Sequence, residues 1–255
     1  MSGGRGFAFG RTVVLNLGFR REISMGKSWK NAGKSAAAAK KGAIFTKAAR
    51  EIQVAAKMGG ADPAMNARLR MAIDAARKVS CPNDTIERAI KKGSGQLEGQ
   101  AIEEITYEGY GPHGVGVLVE TQTDNRNRTA PDMRSLFKKG GGALGEMNSV
   151  AWMFTRVCLL EGTKDGSFDP DEEAIEAGAN EVEKTEEGYA FYGDMENLDP
   201  IRTALTARGW TINTAELSYK TKNVTELSDE QMKEVAEFLS DLDDHDDTHR
   251  VHATV

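Results

Sequence analysis

Cysteine is nearly absent from this chain of 255 residues, Cys81 and Cys158 being its only two. Thiols so few and so far apart give no disulfide framework and no zinc module, and they fit a reducing cytosol. Long apolar runs are missing too. A bilayer-spanning helix needs about 20 apolar residues. The best stretch near the start, Val13-Val14-Leu15-Asn16-Leu17-Gly18-Phe19, is short and broken by Asn16 and Gly18. It runs into Arg20-Arg21-Glu22 rather than a small-residue cleavage site, which argues against a secretory signal. No Ser/His/Asp or Cys/His arrangement has local support for catalysis.

What the chain does have is sorted charge. The net value is −6, yet residues 25–92 hold fifteen Lys and Arg against five Asp and Glu. Residues 93–255 reverse this, with fourteen against thirty-three. Such sorting suggests a basic module that meets a polyanion, carried on an acidic body that does not. The expected partner is nucleic acid, with no membrane contact and no evident small-molecule substrate. Residues 1–24 are Gly-rich and bear four Arg against one Glu. They read as a disordered extension or an upstream start ahead of Met25, the alternative being an organellar targeting peptide. The expected localisation is cytoplasmic, or an organellar matrix under that alternative.

Three motifs invite functional readings and fail on context. Gly109-Tyr110-Gly111-Pro112-His113-Gly114 has the spacing of a dinucleotide fingerprint, which needs a strand before it and a helix amino end after it. Here a strand follows, so a tight turn is the better account. Gly33-Lys34-Ser35 resembles the end of a phosphate-binding loop, but Ser28 stands where that motif needs glycine. His245, His249 and His252 lie among Asp243, Asp244, Asp246 and Asp247. A solvated, acidic helix end explains them better than a metal site, since ligation demands fixed geometry. Neither a metal nor a cofactor is expected.

Periodicity predicts three short helices between Lys40 and Lys92. The first carries Ile44, Ala48, Ile52 and Ala56 and stops at Gly59-Gly60. The second opens on Asp62-Pro63 with a stripe of Met65, Leu69, Ile73 and Ala76. The third opens on Pro82 and Asp84, carries Ile86 and Ile90, and ends at Lys91-Lys92-Gly93. Residues 26–41 are expected to be mobile. From Tyr107 the period changes to two: a strand at Val115–Glu120, a helix at Ala130–Lys139 capped by Thr129, and a strand at Val150–Phe154. Residues 156–217 read in the order βαββαβ, the ferredoxin-like split βαβ. A strand near Tyr219, a helix from Ser228 to Leu242 and a strand from His249 would complete a second such unit. The expected fold class is α+β and three-lobed: a helical amino-terminal domain and two ferredoxin-like domains, one inserted in the other. The domains are a basic helical one at 25–105, a discontinuous ferredoxin-like one at 106–155 and 218–255, and the inserted one at 156–217.

Two segments are candidates for binding. The first is Lys27, Trp29, Lys30, Lys34, Lys40, Lys41, Lys47 and Arg50, cations that would neutralise phosphates beside a Trp that could stack on a base. A solubilising tail is the competing account, but the cations continue onto the first helix. The second is Asp124-Asn125-Arg126-Asn127-Arg128-Thr129, between a strand and a helix. Its two Arg are candidates for phosphate or peptide-carbonyl contacts. A capping loop with solvated Arg accounts for it equally well.

Met25-Gly-Lys-Ser-Trp-Lys, Gly42-Ala-Ile-Phe-Thr-Lys-Ala-Ala-Arg-Glu-Ile, Ile86-Glu-Arg-Ala-Ile-Lys-Lys-Gly, Tyr107-Glu-Gly-Tyr-Gly-Pro and Thr123-Asp-Asn-Arg-Asn-Arg-Thr together resemble the YebC/PmpR family. That family includes mitochondrial translational activators of a cytochrome oxidase subunit. The resemblance covers Met25 to Val255 and implies the same three-lobed fold. It implies a non-enzymatic regulator of gene expression, either a ribosome-associated translation factor contacting rRNA or a DNA-binding transcriptional regulator. Under the ribosomal reading, the loop at Asp124–Thr129 would be a contact close to the functional centre. Ala36–Ala39 departs from a stretch that is usually more polar and basic, and residues 1–24 are not part of the family pattern.

Overall fold

The computed structural model describes residues 30–185 and 187–255, with side chains from residue 41 onward. The extension at 1–24, Lys27 and Trp29 lie outside the described residues. Three helices come first: α1 (Lys30–Gly59), α2 (Ala67–Lys78) and α3 (Asn83–Gly93). Residues 30–41, expected to be mobile, are helical instead. Four consecutive alanines there carry the highest helix propensity of any residue, which outweighs Gly33 and Ser35. Ile52, Ala55 and Ala56 of α1 pack against Leu69, Ile73 and Ala76 of α2 and Ile86 and Ala89 of α3. The α1 helix ends where Gly60 takes a φ of 87°, a left-handed turn that side chains disfavour.

The second helix starts later than Asp62-Pro63. Asp62 caps only an isolated turn, accepting from the Ala64 N–H at 2.9 Å, and Met65 is left exposed. Asn66 opens the helix, its Oδ1 accepting from the Leu69 N–H at 3.0 Å. Its Nδ2 donates to the carbonyls of Ala55 (2.7 Å) and Gly60 (2.9 Å). One buried amide thus caps α2 and ties it to carbonyls at the end of α1.

The chain continues through β1 (Glu103–Tyr110), β2 (Gly116–Thr123), α4 (Arg126–Lys139) and β3 (Ala143–Leu144). Next come β4 (Phe154–Thr163), α5 (Pro170–Ala177), β5 (Glu181–Lys184), β6 (Tyr189–Gly193), α6 (Leu198–Ala207) and β7 (Thr211–Thr221). The last elements are α7 (Asp229–Asp243) and β8 (Thr248–Ala253). Residues 152–222 form one compact unit, and the described residues up to Ala151 with Asn223–Val255 form the other. A helical amino-terminal region and two sheet domains, one interrupting the other, make up the fold. No described helix is long and apolar enough to cross a membrane.

The first sheet runs β3-β1-β2-β8, antiparallel throughout. It differs from expectation in two places. The strand expected at Val150–Phe154 is a single 3-10 turn at Ala151–Met153 followed by β4. That segment cannot be a strand because the Glu108 carboxylate gathers its amides, accepting from Asn148, Val150 and Ala151 N–H at 2.9–3.0 Å. Tyr219 belongs to β7, paired with Arg156 of β4 in the other sheet. The strand that takes its place is β1, in a hairpin with β2. The glycine-rich segment 109–114 is that hairpin's turn, with no helix after it.

One face of this sheet carries α4 and α7. Val117, Val119 and Val251 meet Met133 and Phe137 of α4 and Phe238, Leu239 and Leu242 of α7. Each such side chain, fully buried, contributes roughly 1.5–3 kcal/mol. The rings of Phe137 and Phe238 meet edge to face at 5.3 Å. Packing is tight enough that a Cβ on Gly140 would fall 2.1 Å from the Phe238 ring.

The second sheet runs β5-β6-β4-β7, which is the ferredoxin-like order for a βαββαβ chain. Cys158, Leu160 and Phe191 face α5 and α6 around Trp210. Trp210 Nε1 donates to Glu173 Oε2 at 2.8 Å, and Arg208 and Lys164 hold the same carboxylate at 2.9–3.1 Å.

Candidate nucleic-acid interface

Of the cations read from the sequence, Lys30, Lys34 and Lys40 lie on α1 and Lys41 is exposed on it. Lys47 and Arg50, further along the same helix, are engaged within the fold. Lys47 Nζ donates to the Asp243 carbonyl at the carboxyl end of α7, and Arg50 Nη1 to the Asp246 carbonyl. Burial lowers the Lys47 pKa, against the pull of Asp243, Asp244 and Asp246. Cations at a helix carboxyl end satisfy carbonyls that the helix leaves open. These two residues therefore fasten α1 to the first sheet domain. Exposed cations elsewhere in the helical region, Lys78, Arg88, Lys91 and Lys92, have no ion pair or hydrogen bond among the described residues.

The loop at Asp124–Thr129 is a cap and something more. Asn125 is the N-cap of α4, its side chain accepting from Asn127 N–H at 3.1 Å and Arg128 N–H at 3.3 Å. Thr129 is inside the helix rather than before it. Its hydroxyl donates to Asp247 Oδ2 at 2.6 Å. Arg128 Nη2 reaches Asp247 at 2.9 and 3.0 Å and Asp124 at 3.1 Å. Arg50 Nη2 adds a fourth element, at 2.8 Å from Asp247 Oδ1. The Asp247 side chain is 1 % exposed, so the expectation of a solvated acid fails here. Burial alone would raise its pKa. The Thr129 and Arg128 hydrogen bonds and the charge of Arg50 hold it below the usual aspartate value instead. Arg126 and Asn127 remain exposed, and Arg126 has no hydrogen bond or ion pair among the described residues.

A second carboxylate works in the same way. Glu51 of α1 receives Arg68 at 2.9 and 3.1 Å and Gln122 Nε2 of β2 at 2.6 Å. Burial opposes its ionisation, but the Arg68 hydrogen bonds and nearby positive charges hold its pKa at about 2. His249 Nε2 lies 3.4 Å from Glu51 Oε2. Burial holds that imidazole at about 4, so at neutral pH the contact is polar rather than ionic. Among the described residues no group of three or more His, Cys, Asp or Glu is placed to hold a metal.

Sequence reading missed Asp247 and Glu51. No local signal marks either, since both sit among other charged or polar residues in sequence. Together the two carboxylates fix α1 against β2, α4 and the turn into β8, and so set where the cations of α1 and the loop stand.

Two family models match the chain, one for the TACO1/YebC protein N-terminal domain over residues 26–96 and one for the TACO1/YebC second and third domain over residues 102–255. A "probable transcriptional regulatory protein" of Bdellovibrio bacteriovorus is 71% identical over 232 residues, covering 91% of this chain and 100% of that protein. One of Chlorobaculum tepidum is 44% identical over 225 residues, covering 87% and 90%. A crystal structure of a conserved hypothetical protein from Aquifex aeolicus superposes with a TM-score of 0.77 at 40% identity, covering 85% of this chain and 90% of that one. With both models matched in order across nearly its whole length, the chain belongs to the TACO1/YebC family.

Proposed function

We propose that this chain is a cytoplasmic, non-enzymatic regulator of gene expression that works at the ribosome, its basic helical region contacting rRNA. The observation that carries the reading is a set of exposed cations in that region with no ion pair or hydrogen bond among the described residues: Lys41, Lys78, Arg88, Lys91 and Lys92. Cations free of internal partners neutralise phosphates and release counterions. In the sequence Lys27, Trp29, Lys30, Lys34 and Lys40 add to this set of candidate contacts, and Arg126 with Asn127 offers a second contact at the start of α4. Lys47 and Arg50 act from behind, by fixing α1. Relatives named as transcriptional regulators support a regulator in general.

Those names also favour a second reading, a DNA-binding transcriptional regulator. Exposed Arg126 and Asn127 at the start of α4 are residues of the base-reading kind, and that reading would rest on them.

The test is cosedimentation with ribosomes at physiological salt, comparing wild type with a variant reversed to Glu at Lys41, Lys91 and Lys92. Lys47 is spared because its reversal would also break the docking of α1. Wild type travelling with ribosomes while the variant stays at the top supports translation. If both stay at the top and wild type binds one duplex DNA selectively, the transcriptional reading replaces it.

A further inference from the structure

A recess of ≈ 350 Å³ opens beside α1 and α3 in the helical region, lined among others by Phe45, Gln53, Thr85, Lys92, Gln100 and Asp124. Arg50 forms part of its wall, held still by its 2.8 Å contact with Asp247. The side-chain amides of Gln53 and Gln100 and the hydroxyl of Thr85 have no hydrogen-bond partner among the described residues. An aromatic ring, two free amides, a hydroxyl and a lysine thus share one concavity. Its size falls in the range of small-ligand pockets, which begin at about 300 Å³.

We propose that this recess receives one unpaired nucleobase from a single-stranded nucleic acid, a site that rests on the nucleic-acid reading above. Each lining group has a counterpart in such a ligand. The Phe45 face offers a stacking surface that any base can use. A glutamine amide both donates and accepts, as the edge of a base requires. The Asp124 carboxylate repels phosphate but accepts from an exocyclic amine, so it orients the base edge inward. Lys92, exposed at the end of α3, neutralises the phosphate beside the base. A base locked in a duplex is not available to such a recess.

The experiment measures binding of the full chain to a short single-stranded RNA and to the same sugar–phosphate chain with every base removed. Electrostatic attraction is shared by both probes, so their ratio isolates the bases. The wild type should favour the base-bearing strand by about tenfold to a hundredfold. Gln53→Ala with Gln100→Ala should remove most of that preference while leaving affinity for the abasic chain unchanged. Gln100→Ala alone, in an exposed loop position where folding is not at stake, should remove part of it. Lys92→Ala should weaken both probes equally and reduce the salt slope by about one. Equal wild-type affinity for the two probes overturns the pocket, as does a full preference in the double variant; both leave the nucleic-acid reading intact. Failure of the wild type to bind either probe, or any ribosome, overturns that reading and this site with it.

Discussion

Replacing Asp247 by Asn keeps the shape of the side chain and removes its charge. In the wild type the carboxylate accepts from Arg50, Arg128 and Thr129 at 2.6–3.0 Å. Asparagine would present an amide N–H₂ to at least one of those donors. The Arg128 side chain is 47 % exposed, so its pair contributes at most about 1 kcal/mol after solvent screening. Arg50 is 12 % exposed and would be left without its counter-ion, while Thr129 is buried. Breaking a buried pair from one side costs about 3–5 kcal/mol. Because water reaches Arg50 in part, the low end applies, about 3 kcal/mol for Asp247→Asn against about 1 kcal/mol for Arg128→Ala. Fluorescence of Trp152 and Trp210 would miss this, since both lie in the unit formed by residues 152–222. Hydrogen exchange of the segments 44–56, 126–137 and 247–253 reads it directly. Protection there should fall by about two decades, at about 1.4 kcal/mol per decade, with α6 and β4 unaffected. A fall of less than one decade, or one no larger than that of Arg128→Ala, would refute the assignment of Asp247 as the fastening point.

Three further outcomes follow from the same geometry. Burial depresses the His249 pKa from 6.5 to about 4, so between those values the unfolded chain binds a proton that the folded chain refuses. Stability of the first unit should therefore decline as pH falls from 6.5 to 4, by up to about 3 kcal/mol, and His249→Gln should flatten that slope in denaturant titrations. In the second unit, the Arg208 hydrogen bonds lead in holding the Glu173 pKa at about 2, so its stabilisation is full above the ordinary 4.5 and is lost as pH falls towards 2. Glu173→Gln should cost about 2–3 kcal/mol at neutral pH, read as an earlier urea transition in Trp210 fluorescence; an unchanged midpoint would contradict the role given to that carboxylate. Gly140→Ala should lower the melting temperature through about 1–3 kcal/mol of overpacking against Phe238, whereas Gly141→Ala meets no atom within 4 Å and should register only the strain of its φ of 76°.

The helices were legible where an apolar stripe coincided with a cap or a glycine stop, as at Ile86 in α3 and at Ser228 before α7, which closes a capping box with Gln231. The βαββαβ order of the inserted unit was legible because its strands and helices alternate in period. β1 was not, since Glu103-Glu104 and Glu108 give it the composition of a surface loop. Glu108 is buried because three backbone amides from Asn148 to Ala151 converge on it, a fact no local window contains. Asp247 and Glu51 were illegible for the same reason. A buried carboxylate patterns as solvent-facing until its distant Arg partners are known. Of the candidate site, the charge sorting was plain, but not that Lys47 and Arg50 turn inward. Nothing local distinguishes them from Lys41, which is exposed on the same helix.

The strands that open and close the inserted unit are neighbours: Phe154 pairs with Thr221, and the Lys222 N–H donates to the Met153 carbonyl at 2.8 Å. During synthesis, residues 152–222 emerge complete before α7 and β8 do. Once they fold, the long excursion from Ala151 to Asn223 shortens to a gap of a few residues. By loop-closure entropy, that advance lowers the cost of bringing β8 to β2 by roughly 0.7 kcal/mol. Val251, Ala253 and Val255 complete the core of the first unit, so that unit closes last, after the insertion is finished. The order of events on the nascent chain is thereby inside first, outside second.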